Sequence, residues 1–127
     1  MVERQEARAA LAVMEAHIKA LNARDEAAIA ATLHFPHFRL SEAALKVWEA
    51  PESYFADFRA RAGSDWARSS FENLRMVQAS PSKVHLEVEV HRYGPDGMVY
   101  QTFPSLWVIT QENGRWAAKF RSSFAPV

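Results

Sequence analysis

Apolar residues recur every three or four positions over residues 3–21, which predicts a first helix with a single apolar stripe. Asn22 is suited to a left-handed helix end, and Asp25 to the N-cap of a second, alanine-rich helix that continues through Leu33. Pro36 is expected to close that helix. The stripe of the first helix consists of Ala7, Ala10, Leu11, Met14, Ile18 and Leu21.

The middle of the chain predicts two short strands and a third helix. Residues 37–40 and 45–48 are β-like and suggest a small hairpin or one strand with an irregular edge. Pro51 suits the first position of a helix, Tyr54, Phe55 and Phe58 share one face of it, and Gly63 is expected to end it.

From Trp66 onward the apolar period changes from helical spacing to two. Breaks at Ser80-Pro81, at residues 94–97 and at Asn113-Gly114 divide this region into four strands, about 66–79, 83–93, 98–111 and 115–124. Helices followed by antiparallel strands are typical of the α+β class. We therefore expect three N-terminal helices packed on a strongly curved, mainly antiparallel sheet.

Composition narrows the range of functions. The 127 residues suit one domain, 1–127, and equal numbers of acidic and basic residues give no reason to expect a nucleic acid or a membrane as partner. The chain has no cysteine, so thiol catalysis and disulfides are excluded. The charged N-terminus lacks the apolar segment of a signal peptide, and a cytoplasmic location is expected. No glycine-rich phosphate loop is present, and no cofactor is expected.

The order of elements and several short motifs resemble the nuclear-transport-factor-2-like superfamily, whose bacterial members are often called SnoaL-like. The motifs lie at residues 21–25, Trp48 with Pro51, 92–97, 106–109, 113–116 and 121–124. The resemblance covers nearly the whole chain and implies a cystatin-like cone with an apolar pocket. It also implies a homodimer through the outer sheet face, for which residues 85–93 with Leu106 and Val108 are the candidate surface.

The resemblance does not imply one activity, because the superfamily contains isomerases, dehydratases, cyclases, epoxide hydrolases and binding modules without catalysis. Its enzymes place an aspartate, or an aspartate and a histidine, in the pocket, and no such pair can be matched here. Function must therefore be argued from the site.

The Asn113-Gly114 turn predicts which side chains share the concave face of the last two strands. A two-residue turn places Trp107 opposite Phe120 and Ser105 opposite Ser122. In the preceding hairpin, a glycine bulge at Gly97 would turn His85 and Glu87 inward. A second bulge at Pro104 avoids this and keeps three valine and leucine side chains inside: Val84, Leu86 and Val88.

Histidines are the main candidates for chemistry. His34 and His37 are three apart, but Pro36 interrupts any shared helical face, so a metal site is not expected. His37 and Tyr100 are the candidate proton-transfer groups. His17 is interpreted as a neutral core histidine bonded to a backbone carbonyl, with a pocket role as the alternative.

We therefore expect a binding protein for a small hydrophobic molecule. The alternatives are an isomerase, dehydratase or cyclase acting by acid–base chemistry, and a dimeric interaction module whose core leaves no cavity above roughly 300 Å³. The predicted pocket lining is His34, His37, Trp48, Tyr54, Phe58, Tyr100, Ser105, Trp107, Phe120 and Ser122.

Overall fold

The computed structural model describes residues 2–62 and 65–125. It contains three helices, α1 (Val2–Ala23), α2 (Glu26–Ala31) and α3 (Pro51–Ala62). The six strands are β1 (Leu33–Ser41), β2 (Ala44–Trp48), β3 (Arg68–Ser80), β4 (Lys83–Tyr93), β5 (Val99–Glu112) and β6 (Arg115–Ser123). The predicted α+β class is confirmed. Gly63, where the sequence predicts the end of α3, lies outside the described residues.

All six strands form one sheet in the order β2-β1-β6-β5-β4-β3. Every neighbouring pair is antiparallel except β1 and β6, which are parallel. Helix α1 packs against β3, β4, β5 and β6, so the core lies between this helix and the sheet. The buried face of α1 is rotated from the predicted stripe, because Val13, His17 and Ala20 are buried while Ile18 is only half-buried.

The junction between α1 and α2 is predicted correctly at one residue and wrongly at another. The Asp25 carboxylate accepts a hydrogen bond from the Ala28 amide, as expected of an N-cap. The left-handed residue is Arg24, with φ of 55°, and not Asn22. The Asn22 carboxamide instead bonds the Ser69 amide and carbonyl at 2.8 and 2.9 Å, which ties α1 to the sheet.

Strand β1 begins earlier than predicted. Helix α2 ends at Ala31, and Leu33 already pairs with Ala118 of β6. Pro36 therefore lies inside a strand and does not close a helix. Pairing with a distant strand, supported by the bond from the Ala118 amide to the Thr32 carbonyl, takes over from local helix propensity here.

The last hairpin begins as predicted and then slips by one residue. Asn113 and Gly114 both have positive φ, of 53° and 77°, and Ile109 pairs with Ala118 in the expected register. A bulge at Lys119 follows, so Trp107 pairs with Arg121 and Ser105 with Ser123. An extra residue reverses the faces of all later side chains.

The preceding hairpin keeps the predicted faces but places its bulge elsewhere. The Gly94 amide bonds the Met98 carbonyl at 2.9 Å and Gly97 has φ of +82°, as the glycine bulge requires. The compensating bulge is at Tyr100, because Arg92 pairs with Gln101 whereas Tyr93 pairs with Val99. Pro104 lies in regular pairing opposite Glu89, so the bulge predicted there is wrong.

The outer face of β4 carries half-buried His85, Glu87, Glu89 and His91. The homodimer through this face stays a prediction. Within the described part of the chain, no helix is both long enough and apolar enough to cross a membrane.

Candidate functional site

A cavity of about 300 Å³ opens between α1, α3 and the concave face of the sheet. Its size is at the lower end of the range for small-molecule sites, roughly 300–1,000 Å³. The same volume is also the upper limit expected for the alternative of a dimeric interaction module with a filled core. The lining is mixed, since aromatic rings form one part of the wall and arginine, serine and histidine side chains form another.

The aromatic part of the wall is held by ring contacts between elements. Phe71 of β3 meets Trp107 of β5 with ring centroids 5.6 Å apart and planes at 64°. Phe58 of α3 meets Trp66 in a similar edge-to-face contact at 6.2 Å. Both arrangements suit the quadrupoles of the rings, so the wall is a packed surface against which an apolar group could lie.

The polar part of the wall lies where β1, β6 and β5 run side by side. Arg39, Arg121 and Trp107 occupy one row across these strands. The next row consists of Ser41, Ser123 and Ser105, all of which are buried. The Ser105 and Ser123 hydroxyl oxygens are 2.6 Å apart, and Ser105 donates to the Ser122 carbonyl at 3.3 Å.

His17 lines the cavity from α1, and its Nδ1 atom is held by a hydrogen bond. The Thr32 hydroxyl donates to the Ile29 carbonyl at 2.7 Å, so it accepts from the His17 Nδ1–H group at 2.8 Å. The ring stacks on Phe71 and meets Trp107 edge-on at 5.0 Å. Nδ1 bonds a hydroxyl and not the expected backbone carbonyl, and the ring takes the cavity position that was given as the alternative.

The cavity opening is marked by exposed or half-buried side chains. Tyr100 is 46% exposed, and Asp65 is also exposed. The Arg92 guanidinium lies 4.7 Å from the centre of the Phe103 ring and donates to the Gln101 side chain at 2.8 Å.

Four of the predicted pocket residues line the cavity: Phe58, Tyr100, Ser105 and Trp107. Phe120 and Ser122 do not, because the bulge at Lys119 turns them to the outer face and brings Arg121 and Ser123 inward. The prediction failed here because it assumed that the register set by the Asn113-Gly114 turn continues without a bulge along β6.

His34 is buried but lies away from the cavity. It donates from Nε2 to the Thr110 carbonyl at 2.9 Å, and its Nδ1 accepts from Arg115 at 3.2 Å. These contacts occupy both ring nitrogens, so His34 is a structural residue and not part of the pocket.

His37 does not line the cavity either, and it is fully buried between Trp48 and Tyr54. Its Nδ1–H donates to the Ala118 carbonyl at 3.0 Å. Burial, followed by the positive charge of Arg121, lowers the pKa of His37 to about 3. His37 is thus a neutral, buried residue outside the cavity lining, and its role in proton transfer stays a prediction that this position does not support. Trp48 and Tyr54 pack beside it and also lie outside the lining.

The polar lining residues that the sequence analysis missed include Arg39, Ser41, Ser69, Arg121 and Ser123. Arg39 and Arg121 have the period-two spacing of inward positions relative to Ser41 and Ser123. This spacing indicates which side chains face the cavity only when the register of β6 is known. Among the described residues, no group of three histidine or carboxylate side chains is arranged to hold a metal ion.

No protein-family model and no curated protein matches this sequence. Solved structures do match. A protein of unknown function with a cystatin-like fold from Nostoc punctiforme is 13% identical with a TM-score of 0.76, over 92% of this chain and 88% of that one. An NTF-2-like protein of unknown function from Shewanella oneidensis is 10% identical with a TM-score of 0.77, over 93% and 98%. The chain has the nuclear-transport-factor-2-like fold.

Structures with names that suggest an activity also share this fold. A candidate scytalone dehydratase from Novosphingobium aromaticivorans is 13% identical with a TM-score of 0.73, over 96% of this chain and 85% of that one. At such identities the similarity establishes the cone of helices and sheet, as the sequence resemblance implied. The activity has to be argued from the cavity itself.

Proposed function

We propose that this nuclear-transport-factor-2-like protein binds a small organic molecule in the cavity of the cone. The observation that carries the proposal is the mixed lining, because a ring wall with a few placed polar groups is the usual composition of a ligand site. A core that served packing alone would have no need for buried arginine and serine side chains on its concave face.

The cavity can be tested with three naphthalene derivatives of similar size: neutral 2-naphthylmethanol, anionic 2-naphthoate and cationic 2-naphthylmethylammonium. An engineered cavity of about 150 Å³ holds benzene, so a space twice as large should admit a bicyclic ring. Binding is followed by amide chemical shifts in ¹H–¹⁵N NMR spectra. We expect at least one derivative to bind and to shift the amides of Phe71 and Trp107.

A matched pair of variants on β4 locates the binding. Val90 is buried and lines the cavity, whereas His91 is on the opposite face of the same strand. Val90→Phe should weaken binding by filling the space, and His91→Phe should leave it unchanged. Absence of binding by all three derivatives, or equal binding by the Val90→Phe variant, refutes the proposal.

Acid–base catalysis on the bound molecule is the second candidate, and His17 is the observation that favours it. The His17 ring lines the cavity, and the hydrogen bond from its Nδ1–H group to the Thr32 hydroxyl orients the imidazole, a side chain suited to general acid–base chemistry. The test is deuterium exchange at the acidic carbon of 2-tetralone, followed by NMR. Faster exchange than in buffer that is lost in His17→Asn supports this function, and exchange at the buffer rate rules it out.

A further inference from the structure

Ser41 presents an unbonded hydroxyl group to the cavity. It is the last residue of β1, is only 6% exposed and lines the cavity. Within the described part of the chain, its hydroxyl makes no hydrogen bond. Buried polar groups nearly always have a partner, and a buried hydroxyl without one lowers stability. The fold alone would therefore favour alanine at this position.

The hydroxyl of Ser123, on the neighbouring strand, has a fixed proton direction. Ser105 has a single proton and two contacts, with the Ser122 carbonyl at 3.3 Å and with the Ser123 hydroxyl at 2.6 Å. Because Ser105 donates its proton to the carbonyl, Ser123 has to donate the second bond. The Ser123 oxygen has then used its proton and keeps its lone pairs. It can accept a hydrogen bond from a ligand but cannot donate one.

Ser41 and Ser123 are placed so that one hydroxyl group can bond both. They are register partners on the parallel strands β1 and β6, so their side chains extend from the same face at a backbone spacing of about 4.8 Å. The Glu42 amide donates to the Ser123 carbonyl at 3.0 Å, which holds the two strands together at this end. Both serines line the cavity. An oxygen between them would accept from Ser41 and donate to Ser123.

The two serines match a hydroxyl group better than other polar groups. A carboxylate only accepts hydrogen bonds, so its charge would lie against the lone pairs of Ser123. A ketone oxygen could accept from Ser41 but has no proton for Ser123, whereas a hydroxyl group satisfies both. Phe103 and Trp107 flank Ser105 on the same face of β5 and provide an apolar surface beside the serines.

We propose that the ligand of the cavity is a neutral hydrophobic alcohol or phenol, and that its hydroxyl group lies between Ser41 and Ser123. Its apolar part then lies against Phe103 and Trp107. This inference rests on the proposed function and specifies its ligand class. Both hydrogen bonds join neutral groups, so the loss of either one should weaken binding by about three- to tenfold.

The test measures how a substitution changes the binding of two probes that differ in the hydroxyl group. 2-Naphthylmethanol carries this group, and 2-ethylnaphthalene has a methyl group in its place. Dissociation constants come from ¹H–¹⁵N NMR titrations at pH 7.5. Each probe is compared between wild type and variant, so the different hydration of the two probes cancels. Ser41→Ala should weaken binding of 2-naphthylmethanol by about three- to tenfold and leave that of 2-ethylnaphthalene within about twofold.

Two further variants keep the result specific. Ser123→Ala should also weaken binding of the alcohol selectively, and it provides a second reading if Ser41→Ala does not fold. Ser122→Ala is the matched control, because Ser122 precedes Ser123 on β6 and its side chain is on the outer face of the sheet. It should change neither affinity.

Thermal unfolding gives a readout that does not depend on a ligand. The midpoint of Ser41→Ala should equal or exceed that of the wild type, because the deleted hydroxyl makes no hydrogen bond in the described fold. A midpoint lowered by several degrees would show that the fold itself uses this hydroxyl, and it would overturn the inference.

The binding outcomes separate this inference from the proposed function. Binding of both probes without a selective loss for the alcohol in Ser41→Ala and Ser123→Ala overturns the hydroxyl site and leaves small-molecule binding in place. Binding of 2-ethylnaphthalene alone does the same. Failure of both probes to bind overturns the hydroxyl site and counts against the proposed function as well.

Discussion

The buried imidazole of His37 should make the protein sensitive to acid over a defined pH range. The pKa of His37 is about 3 in the folded protein, against 6.5 for an unperturbed histidine. Between these values the unfolded chain binds a proton that the folded chain does not, so the free energy of unfolding falls as the pH is lowered. The contribution is fully present above pH 6.5 and is lost as the pH falls toward 3.

The structure sets the size of this effect. Each pKa unit corresponds to about 1.36 kcal/mol, so going from pH 6.5 to 3.5 should remove about 4 kcal/mol through His37 alone. The physical reason is that His37 Nε2 has no hydrogen-bond partner within the described part of the chain and is completely buried. A proton placed there would be a charge without an acceptor, close to Arg121 and Arg39.

The assay is urea unfolding of the wild type and His37→Asn at several pH values from 7.0 to 3.5. Asparagine can keep a donor for the Ala118 carbonyl but does not titrate, and carboxylates common to both proteins cancel in the difference. The wild type should be the more stable at pH 7, and the gap should shrink by about 4 kcal/mol at pH 3.5. His85→Asn, on the half-buried outer face, controls for loss of an imidazole as such. A gap that stays constant to within about 1 kcal/mol would refute the reasoning.

Three other substitutions test the fold, each by urea or thermal unfolding. Asp25→Ala removes the cap on the Ala28 amide and should cost about 1 kcal/mol, whereas Asp25→Ser should recover most of that loss. Ile109→Ala empties a fully buried position and should cost about 2–5 kcal/mol; a cost below about 1 kcal/mol would show that the core is not packed as described. Gly97→Ala places a side chain at φ of +82° and should cost about 1–2 kcal/mol although no atom lies within 4 Å of the new Cβ, so an unchanged stability would contradict the turn geometry.

Local pattern determined most of the secondary structure of this protein. The change of period from helical to two located the long strands to within about two residues, because alternation follows directly from half-buried sheets. The Asn113-Gly114 turn and the Asp25 cap were readable because each depends on a few neighbouring residues. The order of elements and the short motifs predicted the cone fold, and the similarity to solved structures confirms it.

Tertiary structure alone decided which side chains face the cavity. A bulge at Lys119 brings Arg121 inward and turns Phe120 out, and no rule of local hydrophobicity favours that choice. The parallel pairing of β1 with β6 then places Arg39 beside Arg121, although they are far apart in the sequence. The physical reason is that the register of a strand depends on its partners, and a slip of one residue moves every side chain to the other face. The adjacent arginines of the cavity wall therefore come together only in the folded protein.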